Sequence, residues 1–80
     1  MVLTIKYFGM VAERTGRKQE ELHLDEDACD LEALKSWWRG KYGLSNDMNS
    51  VQIAVNHALT DTCTLQSGDE VAFLPPFAGG

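Results

Sequence analysis

Positive charge is scarce in this chain. Seven Lys and Arg stand against twelve Asp and Glu, for a formal charge of −5. Nucleic-acid binding rests on neutralising phosphates with basic side chains, so that class is disfavoured. Anionic membrane surfaces are disfavoured for the same reason. No apolar run approaches the roughly 20 residues that span a bilayer. Met1-Val2-Leu3-Thr4-Ile5-Lys6 has neither a basic start nor a long apolar stretch. No signal peptide is therefore expected, and the expected compartment is cytoplasmic. Cys29 and Cys63 are the only cysteines and share no CxxC spacing. They read as reduced packing residues, not as a disulfide or an activated thiolate. His23 and His57 lack metal-ligand spacing with them, so no bound metal is expected. There is no phosphate-binding glycine loop, no evident catalytic cluster and no glycosylation sequon. Asp25, Glu26, Asp27, Asp30 and Glu32 cluster locally and read as a solvated turn leading into a helix start.

What is present suffices for one small folded domain of 80 residues, 44% of them hydrophobic. Val2 to Phe8 alternates, with Leu3, Ile5 and Tyr7 on one face and Thr4, Lys6 and Phe8 on the other. That period predicts a strand. Met10 to Arg14 can form a short helix closed by Gly16. Arg17 to Leu24 reads as a second strand with Leu22 and Leu24 inward. Asp30 is a plausible N-cap, and Leu31, Leu34 and Trp38 then form one apolar helical stripe. Trp37 covers its edge, and Gly43 suits a left-handed end. Ser45 to Ser50 is a polar loop. Val51, Ile53 and Val55 point inward from a third strand, and Asn56-His57-Ala58 is a turn. Leu59 to Leu65 carries a short edge segment. Ser67-Gly68-Asp69 is a turn before the last strand, Glu70 to Leu74, with Val71 and Phe73 on one face. The order predicts an α+β roll, one mixed sheet wrapped over one main helix.

The sharpest feature is the segment Leu74-Pro75-Pro76-Phe77-Ala78-Gly79-Gly80. Residues 1–74 form the expected domain and 75–80 an extended tail. Pro75 and Pro76 fix φ and hold the chain extended. Six residues reach at most about 20 Å. Gly79 and Gly80 leave a carboxylate with no side chain beside it, able to thread a slot that any Cβ would block. A frayed end is the plain alternative, since termini are commonly disordered. The prolines and the preceding strand favour a working tail. Phe8 and Leu74 would lie outward on neighbouring strands, with Leu59 near them, as an apolar spot at the tail's root. Clustered exposed apolar residues mark a partner site.

The run Gly68-Asp69-Glu70-Val71-Ala72-Phe73-Leu74-Pro75-Pro76-Phe77-Ala78-Gly79-Gly80 closely resembles the end of the molybdopterin synthase small subunit. These are sulfur carriers of the ubiquitin-like β-grasp fold. Val2 to Gly16, with Tyr7-Phe8, Glu13 and Gly16, resembles the family's opening, and Ala54-Val55-Asn56 its internal strand and turn. The resemblance implies that the Gly80 carboxylate is adenylated with ATP by a partner similar to ubiquitin-activating enzymes. A sulfur donor then makes it a thiocarboxylate. The tail enters the large synthase subunit and gives sulfur to cyclic pyranopterin monophosphate, building the molybdopterin dithiolene. It further implies a heterotetramer of two small and two large subunits, with the active site on the large one and no cofactor bound by the small one. Phe8, Leu59, Leu74, Pro75, Pro76 and Phe77 fall where the family meets its partners. Two departures stand out: many bacterial members carry Arg where this chain has Ala12, and Phe77 replaces a smaller aliphatic residue. Carriers for thiazole synthesis (in thiamine) or tRNA thiolation share the fold and the Gly-Gly end, as do conjugated modifiers. An inert binding module using the sheet face is the remaining alternative. Pro75-Pro76 and the Gly68-to-Phe73 motif favour molybdopterin.

Overall fold

A computed structural model describes residues 1–43, 51–60 and 62–75. The first strand, β1, runs Val2–Tyr7, and its alternation is expressed as expected, with Leu3, Ile5 and Tyr7 buried. Helix α1, Gly9–Thr15, follows and buries Val11. Gly16 closes it at φ 79°, where only glycine sits without strain, and its N–H donates to the Ala12 carbonyl. Strand β2, Gln19–His23, returns antiparallel to β1. Leu22 and Leu24 are half-buried against the core.

Helix α2, Leu31–Tyr42, is the main helix. Asp30 caps it by accepting a bond from the Ala33 N–H at 2.9 Å, and Gly43 ends it in the left-handed region. Leu31, Leu34 and Trp38 are its buried stripe. The Trp38 ring lies 4.4 Å from that of Phe73 and 6.4 Å from that of Tyr7, so the helix is keyed to the sheet by aromatic contacts. Trp37 is half-buried beside the stripe, under the Lys41 ammonium.

The remaining strands are β4 (Gln52–Val55), β5 (Ala58–Leu59), β6 (Thr64–Gln66) and β7 (Glu70–Leu74). Five strands form one mixed sheet in the order β2-β1-β7-β4-β5, in which β1 and β7 are parallel and the other pairs antiparallel. Asn56 and His57 turn β4 into β5, both at positive φ. Gly68, at φ 93°, turns β6 into β7.

The expected α+β roll, a mixed sheet wrapped over one main helix, is present, and a short strand β3, Ala28–Asp30, adds a separate two-stranded ladder with β6. The segment Leu59 to Leu65 is accordingly not one edge piece. Its start belongs to β5 in the main sheet, and its end to β6 in the small one. Backbone pairing explains the split: Thr60 N–H reaches Ile53 in β4, whereas the Cys63 carbonyl receives the Leu31 N–H at the head of α2. Inward Val51 is half-buried, just ahead of β4. The polar loop expected at Ser45 to Ser50 lies outside the described residues.

Candidate functional site

The central parallel pair fixes the site. Register places Thr4 opposite Glu70, Lys6 opposite Ala72 and Tyr7 opposite Phe73. The next strand sets Gln52 beside Leu74 and Ala54 beside Ala72, and β5 sets Leu59 beside Ala54. Residues paired across strands point to the same side. The face opposite α2 therefore carries one row of Lys6, Ala72, Ala54 and Leu59. A second row holds Leu74 and Gln52, with Phe8 following Lys6 at the end of β1.

Sequence alternation placed Phe8 and Leu74 outward, with Leu59 near them by the His57 turn, and strand register brings all three onto one face. Phe8 is 45% and Leu59 59% exposed, the two large apolar side chains left open among the described residues. Leu74 is half-buried at the root of the tail. Ala72 and the buried Ala54 lie between Leu59 and the Phe8–Leu74 end, with Lys6 and Gln52 on the same face. Small residues there keep it flat, suited to a broad contact instead of a pocket.

Pro75 is the last described residue of the tail. Gly9, at φ +55°, faces it: a Cβ on Gly9 would come 3.1 Å from the Pro75 ring Cγ. The bare Cα thus seats the first proline against the β1–α1 corner. Pro76, Phe77, Gly79 and Gly80 lie outside the described residues.

The opposite end of this face is charged, which sequence inspection missed. Lys6 Nζ lies 3.1 Å and His57 Nε2 3.3 Å from the two carboxylate oxygens of Glu70. Asn56 bonds Asp69 through its side chain and accepts the Glu70 N–H, fixing the turn against β7. Hydrogen bonds from the Gln66 N–H and the Asn56 amide hold the Asp69 carboxyl below its ordinary range. Only strand register, not local pattern, could have joined these residues.

A second polar cluster lies on the inner side. The Glu20 side chain is 7% exposed and takes bonds from Lys41 Nζ at 2.6 Å, Tyr7 Oη at 2.6 Å, Arg17 at 3.4 Å and the Tyr42 hydroxyl. Burial opposes its ionisation, but the Lys41, Tyr42 and Tyr7 bonds outweigh burial and lower its pKa. Burial and the Glu20 carboxylate push both tyrosines up. Four donors converging on one carboxylate tie the end of α2 to β1 and β2. This is a scaffold on the core side of the sheet, opposite the face that carries Phe8 and Leu74.

Cys29 and Cys63 are free thiols, half-buried against the core. Burial and the nearby Glu26 and Asp30 carboxylates push the Cys29 thiol up, away from thiolate chemistry. Among the described residues, no group of three or more His, Cys, Asp or Glu could hold a metal. None of their helices is long and apolar enough to cross a membrane.

Known proteins resemble this chain in sequence and in fold. The sequence profile of the ThiS family matches residues 5–80. The molybdopterin synthase sulfur carrier subunit of Mycobacterium tuberculosis is 35% identical, over 98% of this chain and 96% of its own. The human protein of that name is 30% identical, over 95% of this chain and 91% of its own. A solved complex of subunits 1 and 2 of the molybdopterin-converting factor from Helicobacter pylori contains a chain that superposes with a TM-score of 0.71. It is 27% identical, and both chains are covered completely.

Proposed function

The chain belongs to the ThiS family, with its ubiquitin-like β-grasp fold, and on that premise we propose that it is the sulfur-carrying small subunit of a molybdopterin synthase. The observation that carries this reading is the open apolar face of Phe8, Leu74 and Leu59 at the root of the Pro75 tail. The names of the two curated relatives, and the two-subunit complex containing a similar chain, support it.

The chemistry proposed uses the chain's own end. A free α-carboxyl has a pKa of about 3.5 and is ionised and inert near neutral pH. An adenylyltransferase of the ubiquitin-activating type joins the Gly80 carboxylate to the AMP part of ATP, releasing pyrophosphate. A sulfur donor displaces AMP and leaves a thiocarboxylate. The sheet face docks on the large subunit, and the tail enters that subunit's active site. The terminal sulfur then passes to cyclic pyranopterin monophosphate towards the dithiolene, and water cleaves its bond to the Gly80 carbonyl carbon and restores the carboxylate. The domain itself supplies no acid or base; it positions the arm. A cytoplasmic assembly of two small and two large subunits completes the proposal.

Intact-mass measurement on protein purified from its native cell tests this reading. The expected result is a population heavier by the exchange of one oxygen for sulfur, mapping to Gly80. That population should convert cyclic pyranopterin monophosphate when mixed with the large subunit. A terminus that never carries sulfur in cofactor-producing cells would overturn it, as would Gly80 joined to lysine through an isopeptide bond.

A further inference from the structure

Around the corner from the outward face, between the start of α1 and the start of β2, lies an open groove of about 570 Å³. Lys6, Phe8, Gly9, Ala12, Glu13 and Lys18 are among its lining residues. Its floor is apolar because position 12 offers only a methyl and position 9 no side chain. Phe8 belongs both to this groove and to the outward face, so the groove extends the docking surface past the tail's root.

The charges in it are not equivalent. Lys6 is held by Glu70 at 3.1 Å. Lys18 is exposed, and its ammonium makes no ion pair among the described residues. Its backbone is nevertheless fixed, since its carbonyl accepts the Tyr7 N–H at 2.8 Å. An anchored residue thus offers a free charge next to Phe8. A lysine stem can lie along apolar surface while its head reaches a partner's carboxylate. The chain as a whole carries −5, so an exposed cation in this position bears the minority sign of charge.

We infer that this groove receives an apolar side chain of the large subunit with a neighbouring Asp or Glu set against Lys18. The inference rests on the small-subunit reading and adds the chemistry of the partner. Glu13, on the same groove, opposes that carboxylate and limits the affinity.

Calorimetric titration of the intact chain into purified large subunit, at low and high salt, tests it. Lys18→Glu is expected to weaken binding about threefold to tenfold at low salt, with the loss shrinking as salt rises. Lys18→Gln weakens it less, and Glu13→Gln tightens it. Ser36→Glu, on the exposed side of α2, lowers the net charge as much as Lys18→Gln does and leaves binding unchanged. Adding Ala12→Arg to Lys18→Glu returns a cation to the groove and recovers part of the loss. Circular dichroism of each variant confirms the fold. If Lys18→Glu binds like the parent, or Glu13→Gln weakens binding, the groove assignment is wrong while the small-subunit reading stands. If the parent chain does not bind the large subunit, both fall.

Discussion

The backbone N–H of Phe8 donates to the carbonyl oxygen of Phe73 at 3.2 Å. This bond extends the parallel β1–β7 ladder one step beyond the Tyr7–Phe73 pair, just before the chain turns into α1. Main-chain pairing therefore fixes Phe8 outward. Leu74 follows Phe73 on the neighbouring strand. The apolar root of the tail is built into the sheet and needs no partner to form.

That origin separates stability from binding at Phe8. The side chain is 45% exposed, so Phe8→Arg should leave the free domain's stability within roughly 0.5 kcal/mol. Against the large subunit, the same change buries an unpaired charge and should weaken association by roughly 2 kcal/mol or more. Leu74→Arg should act in the same direction, with a larger cost to the free domain because Leu74 is half-buried. Calorimetry with the large subunit and thermal melts of the free variants read the two effects. Unchanged affinity would remove this face from the interface.

Removal of Gly80 should do the reverse. Removal of a single terminal residue beyond the last strand generally costs a domain little, so circular dichroism and melting temperature should match the parent. Synthesis of molybdopterin by the reconstituted two-subunit enzyme should be abolished, while affinity for the large subunit falls only modestly, because the sheet face remains. Full activity without Gly80 would refute the proposed role of the terminus.

Much of this layout was legible before any coordinates, and the pattern of what was not is physical. Leu3, Ile5 and Tyr7 announced β1 by alternation. Asp30, Leu31, Leu34, Trp38 and Gly43 announced α2 by its cap, stripe and stop. Those signals are local. Strand β3 has only Ala28, Cys29 and Asp30, and its pairing with Thr64 to Gln66 joins distant parts of the chain. No local period marks it. The run from Leu59 to Leu65 holds no glycine or proline, so its division between two sheets left no punctuation. The outward positions of Phe8 and Leu74 followed from alternation, but their adjacency required the parallel register. Lys6, His57 and Glu70 met through the same register, and Tyr7, Glu20 and Tyr42 through packing of three separate elements.

The Glu20 cluster makes a prediction about acid stability. Both tyrosine hydroxyls donate to Oε2, while Lys41 and Arg17 donate to Oε1. In Glu20→Gln, the amide oxygen can serve the hydroxyls, but the amide nitrogen must then face two cations. Loss of the charge-assisted bonds should cost roughly 1–3 kcal/mol at pH 7. The pH dependence follows from the lowered carboxyl pKa of the folded state. A carboxylate depressed on folding stabilises fully above its unfolded pKa of about 4.3, and that stabilisation is lost as pH falls through the lower folded value. The parent should therefore lose stability below about pH 4 more steeply than Glu20→Gln, and the two should converge in strong acid. Asp69, also depressed, persists in both proteins and keeps some slope in the variant. Urea unfolding at pH 7, 5 and 3 reads the difference. Parallel stability curves across that range would mean that the four converging donors gain nothing from the charge on Glu20.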